Sequence, residues 1–201
     1  MLRMIDSAER MVDSPERMID SSESAMSATS GEVRDLVVAA QQGDQGAFGE
    51  LYRKFARMVH GVLLSRIPPA EIEDLVQEVF LSALGKLKDL HEPAAFGGWV
   101  AMIARNRAAD FYRNRVESME LAENHAISSP GAPARLDAVT VLKVIQGLPE
   151  AYRETLVLRL VEGMTGPEIA ERTGLSSGSV RVNLHRGMEL LREALEKGVH
   201  R

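Results

Sequence analysis

Thr165-Gly166-Pro167-Glu168-Ile169-Ala170-Glu171-Arg172-Thr173-Gly174-Leu175-Ser176-Ser177-Gly178-Ser179-Val180-Arg181-Val182-Asn183-Leu184-His185-Arg186 carries the densest set of local structural signals in the chain. Thr165 followed three residues later by Glu168 reads as a capping box, in which each residue's side chain bonds the other's backbone N–H. A short helix is predicted from there to about Thr173. Gly174 suits the left-handed position that ends it, because it has no Cβ to clash. Ser176 can cap a second helix beginning near Ser177. Ala170 is small where two helices cross, and Val180 packs the second helix on the first. Ile169, Leu175 and Leu184 complete a small core. Ser177, Ser179, Arg181, Asn183 and Arg186 are then left to face outward. This pattern is a helix-turn-helix, whose second helix presents its N-terminal end to the major groove of DNA. Hydroxyl, amide and guanidinium groups are the types that bond phosphates and base edges.

Working back from this unit, Leu142, Ile145 and Leu148 form one apolar stripe. Pro149 opens the next helix, with Leu156, Val157 and Leu160 inward. Between 116 and 138 the periodicity fails. Ser128-Ser129-Pro130-Gly131-Ala132-Pro133 is linker chemistry, and the segment is acidic. From 32 to 115 the pattern is again helical. Val33, Leu36, Val37 and Ala40 share one face, and Gly43-Asp44 breaks that helix, with Asp44 able to cap the next. Phe48, Leu51, Tyr52, Phe55, Val59 and Leu63 then form a buried stripe. After Pro68-Pro69 comes a helix carrying Ile72, Leu75, Val76, Val79, Phe80, Ala83, Leu84 and Leu87. Beyond His91-Glu92-Pro93, a fourth helix carries Phe96, Val100, Ile103, Ala104 and Phe111. The expected fold is all-α: two small helical domains, 32–115 and 139–198, joined by a flexible linker at 116–138, the C-terminal one containing the helix-turn-helix.

Residues 1–31 read differently. Arg3-Met4-Ile5-Asp6-Ser7-Ala8-Glu9 recurs at Arg10-Met11-Val12-Asp13-Ser14-Pro15-Glu16 and again at Arg17-Met18-Ile19-Asp20-Ser21-Ser22-Glu23. The apolar pair is adjacent rather than split as a coiled-coil seam requires, and Pro15 interrupts any helix. A disordered tail is expected, with a docking peptide as the alternative and Met26 as an alternative translation start.

Composition narrows the function classes. Of 201 residues, 45% are hydrophobic and only 4% aromatic, a mix that favours helices. Net charge is −5, whereas a DNA-binding domain acting alone is usually basic. The two predicted domains are near charge balance, so a partner must supply most phosphate contacts. The absence of cysteine excludes disulfides and thiolate metal sites within the chain. Five scattered histidines give no metal-ligand spacing, and no phosphate-binding glycine loop or HExxH pair appears. No cofactor and no catalytic residue is expected. No apolar run approaches the roughly 18 residues of a membrane span, and a cytoplasmic protein is expected.

Leu148-Pro149-Glu150-Ala151-Tyr152-Arg153-Glu154, then Leu158-Arg159, Glu162-Gly163 and the helix-turn-helix ending His185-Arg186, resemble the C-terminal promoter-binding domain of sigma factors. Asp74-Leu75-Val76-Gln77-Glu78-Val79-Phe80 resembles the polymerase-binding helix of the same family. Phe96, Trp99, Ile103, Ala104, Arg105, Asn106 and Asp110 resemble its promoter-melting helix. The match runs from about Glu32 to Leu195. The absence of a middle domain resembles the extracytoplasmic-function (ECF) group of the sigma-70 family.

The resemblance implies a subunit that binds core RNA polymerase and directs initiation at promoter DNA. It implies polymerase contacts at Asp74, Leu75, Gln77, Glu78 and Leu81. It implies contacts with the −10 element at Phe96, Trp99, Arg105, Asn106 and Arg113, aided by the 90–95 loop, Arg107 and Arg115. It implies contacts with the −35 element at Ser177, Ser179, Arg181, Asn183 and Arg186. An anti-sigma factor is a further partner common in this group. Two readings compete with it: an autonomous helix-turn-helix regulator, which leaves Asp74–Phe80 unexplained, and a sigma-like decoy for an anti-sigma protein, which leaves the Arg181/Arg186 face unexplained.

Overall fold

A computed structural model describes residues 31–121 and 138–199. The repeat, and Ser128–Pro133 of the expected linker, lie outside the described residues. Among the described residues every regular element is helical. Helix α1 covers 31–41, α2 Gln45–Leu64, α3 Ile72–Lys86 and α4 Phe96–Leu121. Helix α5 covers Ala138–Gln146, α6 Glu150–Leu160, α7 Gly166–Thr173 and α8 Ser177–Val199. Short 3-10 turns at Pro69–Glu71, Leu87–Asp89 and Pro93–Ala95 join the helices of the first half.

The helix starts follow from capping. Asp44 Oδ1 accepts the Ala47 N–H at 3.1 Å and opens α2. Pro69 and Pro93 each stand at the start of a 3-10 turn, where a missing N–H is harmless. Helices α2, α3 and α4 pack pairwise around Leu51, Phe55, Met58, Val62, Val79, Phe80, Phe96 and Val100, all buried. Each such side chain contributes about 1.5–3 kcal/mol on burial. In the second half, α8 lies against α5, α6 and α7 over Ile145, Leu156, Ile169, Val180, Leu184 and Leu191.

Helix α4 differs from its expected length. Its regular backbone continues to Leu121, six residues past the point where the apolar pattern fails.

The two halves are packed against each other. Helix α2 meets α6 and α7, and α4 meets α7. The buried apolar residues of both halves form one continuous cluster. Long-range bonds tie the seam. Gln146 Nε2 donates to Leu64 O at 2.8 Å, and Arg172 Nη1 donates to Lys54 O at 3.2 Å.

Candidate functional site

The helix-turn-helix is built as its residues dictate. Thr165 Oγ1 accepts the Glu168 N–H, and a Glu168 carboxylate oxygen accepts the Thr165 N–H at 2.8 Å. Those bonds hold the Glu168 carboxyl below its ordinary pKa, the Thr165 backbone N–H being the main cause. Gly174 takes φ +75°, and its N–H donates to Ala170 O. Ser176 Oγ accepts the Ser179 N–H at 3.1 Å and starts α8. Val180 and Leu184 point inward, which turns Ser177, Ser179, Arg181 and Arg186 to solvent. Asn183 is half-buried and lies at the edge of that face. The result is a polar, cationic helix end set on a rigid turn.

On α3, Asp74, Gln77, Glu78 and Leu81 share an exposed face, and Leu81 is 68% exposed. Leu84, also exposed, stands a turn further on. Leu75 is corrected: it is 7% exposed and belongs to the inward stripe with Val76 and Val79. It lies one residue from Asp74, about 100° around the helix and so off that face. Glu78 is ion-paired with Arg107 of α4, so this face and the α4 face adjoin.

The α4 candidates are divided. Phe96 is fully buried and stacks edge-on against Phe55, ring centroids 5.1 Å apart. It is therefore a core residue and is not presented to an unstacked base in this conformation. Trp99 is half-buried against Phe96. Asn106 and Arg113 are exposed, Arg113 pairing with Asp110 one turn back. The Arg115 side chain lies outside the described residues. The loop before α4 is tethered from α1: Gln41 Nε2 donates to Leu87 O and Leu90 O, both at 2.9 Å.

Arg105 faces the other half of the molecule. Its Nη2 donates to Glu154 Oε1 at 2.8 Å and its Nε to Glu154 Oε2 at 3.1 Å. Its hydrogen bonds to Glu154 raise the Arg105 pKa above its ordinary value, outweighing burial, so the guanidinium stays charged. Arg66 joins the same carboxylate at 2.9 Å and also holds Glu150, whose pKa it lowers. Within α2, His60 Nδ1 lies 2.7 Å from Glu162 Oε1, a bond that raises the imidazole pKa. Arg66, His60, Glu154 and Glu162 receive no site role from sequence, although Glu154 and Glu162 stand in the quoted motif. Glu154 carried a signal: it precedes Val157 and Leu158 by three and four residues, so an acid occupies an apolar-stripe position.

Two family models match the chain: sigma-70 region 2 over residues 51–117, and sigma-70 region 4 over residues 138–191. The chain is 35% identical over 162 residues to RNA polymerase sigma factor CarQ of Myxococcus xanthus, covering 77% of this chain and 92% of that one. It is 38% identical over 140 residues to the ECF RNA polymerase sigma factor ShbA of Streptomyces griseus, covering 63% and 72%. The chain belongs to the ECF group of the sigma-70 family. The fold of this sigma factor is also that of CnrH, solved in complex with the cytosolic domain of CnrY. The TM-score is 0.57 at 27% identity, covering 83% of this chain and 98% of that one. Like its relatives, the sigma factor acts with RNA polymerase in promoter-specific transcription initiation, a non-enzymatic regulatory role. No helix among the described residues is long and apolar enough to cross a membrane.

Proposed function

We propose that α8 reads the −35 promoter element through Arg181 and Arg186, with Ser177, Ser179 and Asn183 beside them. The observation that carries this is the exposed polar end of α8, fixed by the left-handed Gly174 turn and the Ser176 cap. In the same reading, 32–115 is the polymerase-binding and −10 domain, 116–138 the linker and 139–198 the −35 domain. The exposed face Asp74, Gln77, Glu78 and Leu81 docks on a basic helical surface of core RNA polymerase, where carboxylates beside an apolar residue give charge complementarity. Trp99, Asn106 and the 90–95 loop receive the opened −10 strand, and Arg105, Arg107 and Arg113 contact its phosphates. Phe96 supports Trp99 from the core.

The site of action is the cytoplasm, and the chain carries out no catalysis of its own. An anti-sigma factor is a further partner in this reading, supported by CnrH having been solved with the cytosolic domain of CnrY. Run-off transcription on genomic fragments with purified core polymerase tests the proposal. Discrete start sites that appear only with this chain are expected. Unaltered start sites, or sequence-specific DNA binding without polymerase, would favour an autonomous regulator.

A further inference from the structure

The centre of the exposed face of α8 is not polar. Val182 stands two residues after Val180 and two before Leu184, both buried, and so about 200° around the helix from each. It points away from the core and is 47% exposed. Its neighbours a turn away, Gly178, Ser179, His185 and Arg186, are exposed as well. None of them lays an apolar side chain over it. Arg181 lies to one side, about 100° around the helix, and half-buried Asn183 to the other.

An isolated exposed valine is ordinary on a protein surface. This one stands at the middle of the face already assigned to DNA. A β-branched side chain is also a poorer helix former than the straight-chain residues that suit a solvated face. In the free chain Val182 buries little area in return.

Gly178, one turn earlier on the same side, is an independent observation. Gly174 needs to be glycine, because its φ is +75°. Gly178 is not among the glycines of positive φ. A Cβ built on it would meet, within 4 Å, only Ser176 Oγ, at 3.9 Å. Nothing within the chain demands a glycine there, and alanine would favour the helix. The missing side chain leaves the first turn of α8 bare beside Val182. Close approach of backbone to a ligand is one of the uses of glycine.

Chemistry sets which surface fits. Base-pair edges in the major groove are hydrogen-bond donors and acceptors, with one apolar exception, the C5 methyl of thymine. A donor or acceptor pressed against an isopropyl group loses its water and gains no bond. We infer that Val182 is a specificity-determining residue, its side chain packing on a thymine methyl of the −35 element while Gly178 lets the base edge approach. The inference deepens the promoter reading of α8 and rests on it. Arg181 and Arg186 then supply charge and hydrogen bonds, and Val182 selects an A·T pair.

The test uses holoenzyme, the full chain with core polymerase, on promoter duplexes taken from start sites mapped by run-off transcription. Each thymine of the −35 element, on either strand, is replaced singly by uracil, which removes the methyl and keeps every hydrogen-bonding group. Affinity is measured at one fixed salt concentration, because phosphate contacts make it salt-dependent. At one thymine, uracil should weaken binding about fourfold, the equivalent of one buried methyl group at about 0.8 kcal/mol. Val182→Ala should weaken binding to the thymine duplex by a similar factor and show no further loss with uracil. Val182→Ile should keep the sensitivity. Gly178→Leu should weaken binding to every duplex while co-purification with core enzyme is unchanged. Urea midpoints check that the variants stay folded, and the uracil series on the unaltered chain needs no variant.

A −35 element without an A·T pair, or indifference to uracil at every thymine, overturns the role of Val182. So does a Val182→Ala chain as sensitive to uracil as the unaltered one. If Arg181→Ala with Arg186→Ala still abolishes recognition in those cases, the promoter reading of α8 stands. Weaker core binding by Val182→Ala in the absence of DNA would place the residue on a protein partner and overturn the inference. Full promoter affinity in Gly178→Leu overturns the close approach. Absence of start sites, or start sites indifferent to the arginines and to Val182 alike, removes both readings.

Discussion

The N-terminal end of α8 and the N-terminal half of α4 are both assigned to DNA, yet they are presented differently. On α8, Ser177, Ser179, Arg181 and Arg186 face solvent. On α4, Phe96 is enclosed, Trp99 half-enclosed and Arg105 bound to Glu154. In the proposed reading α8 meets an intact groove, for which a preformed cationic face suffices, and α4 receives a strand that exists only after the duplex opens. Its aromatic and cationic groups can stay engaged inside the protein until that moment. Exposure of a candidate residue therefore reports when in the sequence of events it is needed.

The largest expected effect tests the open face. Arg181→Ala with Arg186→Ala should reduce run-off from a cognate promoter by at least about 30-fold, taking about 1–3 kcal/mol for each base-directed contact. Co-purification with core polymerase should survive. Full activity would remove α8 from DNA recognition.

Phe96→Ala tests the enclosed face. A fully buried phenylalanine truncated to alanine loses about 3–5 kcal/mol of stability, read as a lower midpoint in urea. Trp99→Ala should destabilise less and slow promoter opening, followed with a fluorescent base in the −10 strand. If Phe96→Ala leaves stability untouched, the enclosure is wrong and the contrast with α8 fails.

A smaller effect belongs to α3. Asp74→Lys with Glu78→Lys should weaken the polymerase complex about tenfold, the scale of about 1.4 kcal/mol, in a salt-sensitive way. Leu75→Ala should instead lower thermal stability, because that side chain points inward. Equal binding loss from both would put Leu75 back on the docking face.

The smallest effect is in pH. His60 faces Glu162, with Arg57 on the same carboxylate and Glu73 nearby. Its pKa is raised in the folded chain, chiefly by the Glu162 hydrogen bond. The contribution of this pair is full below the ordinary imidazole value of about 6.5 and is lost as pH rises through the raised one. The urea midpoint should fall modestly over that window, and His60→Gln should flatten the response. An identical pH profile in the two would detach the His60–Glu162 pair from stability.

The two regions also differ in how far sequence alone could describe them. The helix-turn-helix was legible because its signals are local: Thr165 and Glu168 are three residues apart, and Gly174 turns the chain where it stands. The α3 face was legible through periodicity, which also put Leu75 with the inward stripe. The seam was not legible. Arg105 and Glu154 are 49 residues apart, Arg172 and Lys54 118. No period or cap links such pairs. An acid on an apolar stripe, Glu154, and two glycines opening α4, Gly97 and Gly98, were the local traces; a Cβ on either glycine would meet the backbone of Arg172 or Gly174 in the other half.

Gln41 carries one more consequence. Its single amide nitrogen holds the carbonyls of Leu87 and Leu90, so the approach to α4 is fastened at its base while His91 and Glu92 remain outside. Ordering a backbone residue costs about 1–2 kcal/mol in conformational entropy. Here that expense is met during folding, and a nucleotide strand arriving as proposed would encounter a rim that has little freedom left to surrender.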